Sequence, residues 1–194
     1  MALWWRQLCA IMLLSFLAGC TVAGYGLVEP GRTQIENEFA VSPNLAWSQL
    51  AYGERQIWTI NGAGLEAIWF YAGLEDGEAL IRDVREDDDA PRFRSAMRPN
   101  EVMELAVDSL GLNGAVNVEG RGLRPAAFGS LKGYRFELTY QTAQGLMMRG
   151  LAMGTVQDGK LQLIVYLAAD LYYYDRYLDE VERIFASVEM IQDS

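Results

Sequence analysis

Histidine is absent from the chain and cysteine is scarce, which excludes most nucleophilic and zinc-dependent chemistry. None of the 194 residues is a histidine. Ser-His and Cys-His catalysis, a histidine general base and histidine-ligated zinc are therefore excluded. The only cysteines are Cys9 and Cys20, and the only lysines are Lys132 and Lys160. Both lysines are predicted at turns beside strands, where an exposed ammonium group is a poor base at neutral pH.

Positive charge is also scarce. The chain has 16 Lys and Arg residues against 26 Asp and Glu residues, which gives a formal net charge of −10 at pH 7. An acidic surface repels phosphate backbones and anionic headgroups. We therefore expect no nucleic-acid partner and no attachment to a membrane through a basic patch.

The first 19 residues have the physical pattern of a secretory signal. Arg6 supplies a positive charge, and residues 8–17 form an apolar run that is too short to span a bilayer. The small residues Ala18 and Gly19 follow, directly before Cys20. The stretch Leu17-Ala18-Gly19-Cys20 resembles the lipobox of bacterial lipoproteins. An ordinary secreted protein that is cut at another small residue, or a retained membrane anchor, is the alternative.

The lipobox resemblance implies cleavage before Cys20 and acylation of its thiol. Two or three acyl chains would then hold the protein at the membrane, since a single chain binds only marginally. Thr21 follows the cysteine where an Asp tends to retain lipoproteins at the inner membrane. In a cell with two membranes the resemblance therefore implies the outer one, with the domain in the periplasm.

The remaining chain is predicted to be one domain. Residues 1–19 are the removed signal, residues 20–32 are the lipidated cysteine and a tether, and residues 33–190 are the globular part. Without Cys9, and with Cys20 acylated, no disulfide can form, so stability must come from packing. We expect no cofactor and no metal.

Strand signals occur in the first half of the domain. The irregular alternation of residues 33–41 predicts an edge strand or hairpin, and residues 54–60 and 65–72 predict a hairpin around Asn61-Gly62-Ala63-Gly64. Residues 79–81 predict a short strand. The next stretch, 82–98, is dense in charge and predicts a solvated loop. Calcium binding by the acidic segment 83–89 is the alternative, although its spacing is not that of an EF-hand loop.

Two helices and a meander are predicted in the second half. Pro99 fits the first position of a helix over residues 99–110 that ends at Gly111, with Met103, Ala106, Val107 and Leu110 as its buried stripe. Short strands are predicted at 117–121 and 124–128. Residues 133–141, 146–156 and 161–168 predict three antiparallel strands, because apolar residues alternate in the first and fill both faces of the last.

The last helix is predicted over residues 171–187, with Asp170 as its cap. Leu171, Tyr174, Leu178, Val181, Ile184 and Phe185 form its predicted buried stripe. Tyr172, Tyr173 and Tyr177 fall outside that stripe, and we interpret them as a candidate binding surface because interfaces favour aromatic residues. The alternative is that they pack against neighbouring loops with their hydroxyl groups in water.

This order of elements supports a second resemblance. A hairpin, a helix, an antiparallel meander and a closing helix that ends in Phe185-Ala186-Ser187-Val188 resemble the α/β sandwich of PsbP-like extrinsic photosystem proteins. The resemblance covers residues 33–190 and implies a single α+β domain, with an antiparallel sheet packed against two main helices. PsbP-like proteins bind and stabilise membrane complexes and share no known catalytic site. The resemblance therefore assigns no functional residue.

Two functions remain open at this point. The first is a non-catalytic envelope lipoprotein that binds a protein partner or a small ligand. The second is a carboxylate-dependent hydrolase of a cell-wall polymer, with a pair drawn from positions such as Glu66, Glu137 and Asp170. No spacing singles out a pair of carboxylates, so we expect binding and no turnover.

Overall fold

The computed structural model describes residues 25–52, 55–81 and 90–191. Within these ranges the chain forms eleven strands and two helices. In chain order they are β1 (Tyr25–Val28), β2 (Thr33–Ile35), β3 (Phe39–Val41), β4 (Trp47–Tyr52), β5 (Arg55–Thr59), β6 (Glu66–Leu74), α1 (Pro99–Leu112), β7 (Val116–Phe128), β8 (Leu131–Gln141), β9 (Met147–Gln157), β10 (Lys160–Ala169), α2 (Tyr173–Ala186) and β11 (Glu189–Met190). The signal segment, Cys20, Thr21 and the acidic segment 83–89 lie outside the described residues, and what we expect of them stays a prediction.

Eight strands form one antiparallel sheet in the order β1-β4-β5-β6-β10-β9-β8-β7. Three short strands form a second antiparallel sheet in the order β11-β3-β2. Strand β10 lies in the middle of the large sheet, between β6 and β9, and is buried on both faces. The central position predicted from its apolar run is therefore confirmed.

The two helices pack on opposite faces of the large sheet. Along β10, Leu163 and Val165 belong to the core under α1, whereas Ile164 and Tyr166 belong to the core under α2. The small sheet joins the α2 face, where the rings of Phe39 and Phe128 meet edge to face. The protein is a single α+β domain with the sheet between the two helices, which confirms the predicted fold class. Neither helix is long and apolar enough to cross a membrane.

The predicted hairpins and the C-terminal meander are confirmed. Strand β2 pairs with β3, β5 pairs with β6, and β8, β9 and β10 pair in sequence order. In β8, Tyr134, Phe136, Leu138 and Tyr140 are buried while the residues between them are partly exposed. This alternation follows from successive side chains pointing to opposite faces of a strand.

The strands differ from the prediction at four places. Residues 25–28, expected in the tether, form edge strand β1, and residues 47–52 form β4, for which we predicted no element. Residues 79–81, expected as a strand, are irregular. Residues 116–128 form one long edge strand instead of two, because two register shifts absorb the positive φ of Asn117 and Gly122 without ending the pairing with β8.

Helix α1 begins at Pro99 as predicted but ends two residues later than expected. Gly111 lies within the helix, and the chain leaves it through Gly114, whose φ is 89°. The backbone N–H of Gly114 donates to the Gly111 carbonyl at 3.0 Å, and that of Ala115 donates to the Leu110 carbonyl at 3.1 Å. This pattern is a Schellman motif, which requires a left-handed residue just after the helix.

The buried side of α1 is also rotated from the prediction. Val102, Leu105, Ala106 and Ser109 are buried, whereas Met103, Val107 and Leu110 are only partly so. Met103 and Val107 instead cover β7 at Gly120, where an added Cβ would lie 2.8 Å from Met103 Cγ. Helix α1 therefore contacts both the centre of the sheet and its edge strand.

Helix α2 starts at Tyr173, two residues later than predicted, and Asp170 does not cap it. Asp170 Oδ1 accepts a hydrogen bond from Arg149 at 3.4 Å, and the same guanidinium pairs with Asp175 at 3.2 Å and lies 3.9 Å from the Tyr174 ring centroid. Leu171, expected in the buried stripe, is 94% exposed. Arg149 on β9 therefore attaches the first turn of this helix to the sheet. No side chain caps the helix.

Candidate binding site

Exposed apolar side chains collect at one end of the large sheet. Nine large apolar residues of the described chain are exposed, and six of them lie where β10 runs into α2, on β7, β9, the end of α1 and the connections beside them. Leu27 and Leu45 lie at the same end of the sheet but near its far edge, on β1 and before β4. We call these six the apolar rim: Leu112, Val116, Leu146, Met147, Leu171 and Tyr172. Contiguous apolar patches of this kind mark interaction sites on soluble proteins.

Antiparallel pairing explains why these residues meet. Val116 at the start of β7 is opposite Gln141 at the end of β8, and Gln141 is opposite Met147 at the start of β9. The Asp170 N–H then donates to the Met147 carbonyl at 3.0 Å, which places the link to α2 beside the same strand ends. The rim therefore extends across four neighbouring strands, from β7 to β10.

A groove of about 370 Å³ opens at the same end, on the α1 face. Trp69, Tyr71 and Tyr140 give it three aromatic side chains, and no charged residue of the described ranges lines it. We call it the aromatic groove; its lining consists of Ala63, Trp69, Tyr71, Ile81, Leu110, Asn113, Gly114, Ala115, Tyr140, Thr142, Ala143, Gln144, Met148 and Leu167. This volume is within the range of small-molecule and side-chain pockets.

The walls of the groove come from one face of four strands and from the end of α1. Trp69 and Tyr71 lie on β6, Leu167 on β10, Met148 on β9 and Tyr140 on β8, and the turn at Gly114 closes the side. A smaller cavity of about 30 Å³ continues beneath it, between α1 and the sheet. The groove is thus the outer part of an incompletely filled space between α1 and the sheet.

The phenols of the groove are uncharged at neutral pH, as tyrosines ordinarily are, and burial extends that state to higher pH. It raises the pKa of Tyr71 to about 12, against a smaller lowering by the Arg55 guanidinium. It also raises the pKa of Tyr140 to about 12. At neutral pH both side chains therefore offer a neutral ring and a hydroxyl group, which suits an apolar or aromatic ligand.

The structure brings two of the three predicted surface tyrosines to the rim. Tyr172 is 54% exposed and meets the ring of Tyr173 edge to face at 5.1 Å between centroids. Tyr173 is partly buried and packs against the cluster that contains Tyr140 and Met148. It therefore connects the rim with the groove wall.

The expectation that Tyr177 lies outside the buried stripe was wrong. Only 6% of Tyr177 is exposed, and its ring packs near Trp47 at 6.1 Å between centroids. Its hydroxyl group accepts hydrogen bonds from Asn61 Nδ2 at 2.7 Å and Arg176 Nε at 3.3 Å. Tyr177 fastens α2 to the β5–β6 turn and has no free surface.

The carboxylates considered for hydrolysis have separate partners in the protein. Glu66 is fully buried, and its Oε1 accepts the backbone N–H groups of Ile60 at 2.6 Å and Asn61 at 2.8 Å. Glu137 pairs with Arg121 at 3.6 Å, and Asp170 pairs with Arg149. None of the three lines the aromatic groove.

Metal ligands do not cluster in the described part of the chain. Residues 25–52, 55–81 and 90–191 contain no group of three Asp, Glu, His or Cys side chains placed to hold an ion. An acidic cleft of about 220 Å³ contains Glu36, Glu75 and Glu78, but Arg55 lies among them. This cleft is at the end of the sheet opposite the rim.

Sequence reasoning missed both the groove and most of the rim. Tyr140 was expected in the core, and Leu171 in the stripe of α2. The available signal was the lack of charge at the turn Thr142–Gln144 and at the end of α1, in an otherwise highly charged chain. Only the strand order shows that these two stretches lie side by side.

No protein-family model and no curated protein sequence matches the chain. Among solved structures, the solution structure of cyanobacterial PsbP (CyanoP) from Synechocystis sp. PCC 6803 superposes with a TM-score of 0.57 at 10% identity, covering 89% of this chain and 96% of that one. LpqN, involved in cell envelope biogenesis of Mycobacterium tuberculosis, superposes with a TM-score of only 0.38 at 10% identity, covering 90% of this chain and 88% of its own. The second likeness is too low to support a comparison of function. The first confirms that the chain has a PsbP-like fold.

Proposed function

We propose that this protein is a lipid-anchored, non-catalytic accessory module of the bacterial cell envelope that binds a protein partner through its apolar rim. The observation that carries the proposal is the concentration of exposed apolar residues at one end of the sheet, next to an uncharged groove. Leaving Leu171 almost fully in water has no benefit for folding, because its burial would favour the folded state. A binding role accounts for that exposure.

The direction of β1 supports a rim that faces away from the membrane. Cys20, the proposed acylation site, precedes Tyr25 by five residues, which span at most about 17 Å when extended. Strand β1 runs towards the rim end of the sheet, since Val28 pairs with Trp47 at the start of β4. Tyr25, the first described residue, therefore lies at the end of β1 that is farther from the rim. Acyl chains on Cys20 would hold the opposite end of the domain near the bilayer.

The positions of the candidate carboxylates also favour binding over hydrolysis. Glycoside hydrolysis needs two carboxyl groups about 5 to 9.5 Å apart across one cleft. The two buried carboxylates of the described chain, Glu66 and Glu180, each accept two backbone N–H groups instead. Both have roles in holding the backbone, and neither faces the groove.

Photo-crosslinking in intact cells tests the binding role. A photoreactive amino acid replaces Leu146 or Leu171 in the rim and, as matched controls, the exposed Leu27 or Leu123 outside it. We expect one and the same envelope protein to be captured from both rim positions and from neither control position. Equal capture from all four positions, or none from the rim, would contradict the proposal.

The anchor has its own test. Replacing Cys20 by Ser should abolish fatty-acid labelling and release the protein from membranes, and the wild-type protein of a two-membrane cell should fractionate with the outer membrane. A Cys20→Ser protein that stays membrane-bound would exclude acylation as the anchor. Recovery of the wild-type protein with the inner membrane would contradict only the sorting signal at Thr21.

A further inference from the structure

We propose that the partner contributes an amphipathic segment whose apolar side chains fill the aromatic groove and whose flanking Lys or Arg residues lie along the outer side of α1. This inference rests on the proposed function and specifies the chemistry of the partner. It depends on three features of the described chain: the uncharged groove, the continuity of groove and rim, and the charges of α1.

The groove selects an apolar group. A charged group that entered it would lose hydration without meeting an opposite charge on its described lining, which contains no charged residue. Trp69, Tyr71 and Tyr140 offer aromatic surface, and Asn113, Thr142 and Gln144 provide neutral hydrogen-bonding groups near the turns. A pocket of this kind suits the buried aromatic or aliphatic residue that dominates many protein interfaces.

The rim indicates a protein segment and not a small molecule as the occupant. Leu112 adjoins the lining residue Asn113, and Leu146 and Met147 adjoin the lining residues Gln144 and Met148. A small ligand in the groove would leave these rim side chains in water. A chain segment that crosses the rim and inserts one side chain into the groove would cover both.

The charges of α1 indicate which charge the residues flanking that segment carry. Glu101, Glu104 and Asp108 are the only charged residues of the helix, and all three are acidic. Glu101 Oε2 accepts the Arg98 N–H at 2.8 Å, while Glu104 and Asp108 are exposed and form no ion pair with any described residue. On α2, three of the four acidic residues pair with an arginine, namely Asp175, Glu180 and Glu182, and only the exposed Asp179 does not pair with a described residue.

Exposed acidic residues on the helix whose end lines the groove favour a basic partner. Complementary charges at the edge of an interface accelerate association and reject like-charged partners, although each exposed pair adds little affinity. The same charges argue against a second copy of this chain, whose own net charge is −10. They also argue against an anionic membrane surface. A basic, amphipathic protein segment complements both the apolar groove and the acidic side of α1.

The test combines the Leu146 photo-crosslink with two variant pairs in the native envelope. Ala143, an exposed lining residue, is replaced by Trp to block the groove, and Ala127 on the far part of β7 is replaced by Trp as control. Glu104→Lys/Asp108→Lys reverses the charge of α1, and Asp179→Lys on the exposed side of α2 is the control for charge. Circular dichroism checks that each variant is folded.

We expect Ala143→Trp and the α1 double variant each to lower the crosslink yield on the order of tenfold, with the α1 effect shrinking at high salt. The Ala127→Trp and Asp179→Lys controls should retain the wild-type yield. Mass-spectrometric mapping should place the crosslink in an apolar stretch of the partner that has Lys or Arg within a few residues.

The outcomes separate this inference from the proposed function. A specific crosslink that persists in Ala143→Trp shows rim binding without use of the groove. One that persists after charge reversal, or that maps to an acidic stretch, overturns the basic flank while the binding function stands. Absence of any wild-type crosslink overturns both.

Discussion

The two faces of the large sheet differ in how they use polar groups. Under α2, two buried polar side chains bond to the backbone: Glu180 accepts the N–H groups of Asn44 and Leu45, and the Tyr166 hydroxyl donates to the Tyr173 carbonyl at 2.8 Å. The indole N–H groups of Trp47 and Trp58, which are also buried there, have no partner among the described residues. Helix α1 buries only four of its residues, and a groove without charged described residues stays open between its end and the sheet. The α2 face is built for a fixed structure, whereas the α1 face retains space at its end.

This difference shows where function is to be sought. Buried polar groups that are satisfied by the backbone specify one packing and leave nothing to bind a ligand. An open apolar groove, in contrast, leaves side chains with fewer packing contacts than a filled core gives them. Such grooves are typical of binding sites. The carboxylates under α2 are therefore stability residues. The neutral aromatic residues under α1 are the binding candidates.

Raising the pH should have the largest effect, because it acts on both faces. Burial raises the pKa values of the buried tyrosines above the ordinary 10.0, and those of Tyr71 and Tyr140 reach about 12. The unfolded chain then releases protons at lower pH than the folded one, so stability is complete below pH 10 and is lost as the pH rises to about 12. The affected tyrosines are Tyr71, Tyr134, Tyr140, Tyr166 and Tyr174.

Phenolate absorbance and near-ultraviolet circular dichroism should therefore change together in this range. Their coincidence would show that these tyrosines ionise only when the protein unfolds. Ionisation of Tyr71 or Tyr140 near pH 10 in a folded protein would instead show that water fills the groove. Single Tyr→Phe variants at these two positions assign the absorbance.

Replacing Glu66 by Ala should be the most damaging single change under α2. It removes a fully buried carboxylate that accepts two backbone N–H groups of the β5–β6 turn and the Thr59 hydroxyl, which we expect to lower the free energy of unfolding by about 3 kcal/mol. Urea denaturation measures the loss. Glu66→Gln keeps an acceptor oxygen and should lose less. A stable Glu66→Ala protein that fails to capture the partner would instead make Glu66 a functional residue.

Glu180→Ala should have a smaller effect, about 2 kcal/mol. Two backbone N–H groups, those of Asn44 and Leu45, lose their acceptor as in Glu66→Ala, but the further partner of Glu180 is the half-exposed Arg183, whereas that of Glu66 is the buried Thr59 hydroxyl. The neighbouring Asp179 is exposed and provides a matched control, since Asp179→Ala should change stability by less than about 0.5 kcal/mol. Equal effects of the two substitutions would show that the Glu180 bonds contribute nothing.

Local patterns in the sequence predicted the elements that local physics determines. The alternation of Tyr134, Phe136, Leu138 and Tyr140 predicted β8, and the turn at Asn61-Gly62 predicted the β5–β6 hairpin. Strand β1 escaped prediction because four residues at a sheet edge carry no alternation, and its pairing with β4 is set by distant chain. The fold class and the meander could be predicted from the sequence for this reason, but the edge strand could not.

Only part of the candidate site could be predicted from the sequence. Tyr172 and Tyr173 fall outside the helical stripe, which is a local signal, and both reach the rim. Tyr177 shares that signal, yet Trp47 and Asn61 from the other half of the chain bury it. Whether an aromatic residue beside a helix stripe is a surface residue thus depends on neighbours that helical spacing does not reveal.

Replacing Gly114 by Ala tests the end of α1 beside the groove. Its φ of 89° is unfavourable for any residue with a Cβ, so we expect a loss of about 1 kcal/mol, although no atom lies within 4 Å of the added carbon. Gly111→Ala, inside the helix, should be neutral or slightly stabilising. Thermal denaturation distinguishes the two. The reverse order would mean that the helix ends at Gly111.

Replacing Leu171 by Ser should have the smallest effect on stability and thereby distinguishes binding from folding. A side chain that is 94% exposed loses almost no buried area, so the free energy of unfolding should change by less than about 0.5 kcal/mol. Partner capture from the Leu146 position should fall nonetheless, because Leu171 belongs to the same rim. Leu27→Ser, which removes a leucine that is 67% exposed on edge strand β1, should alter neither property. A clear loss of stability in Leu171→Ser would mean that this residue packs in solution, and the rim would then lose its most exposed member.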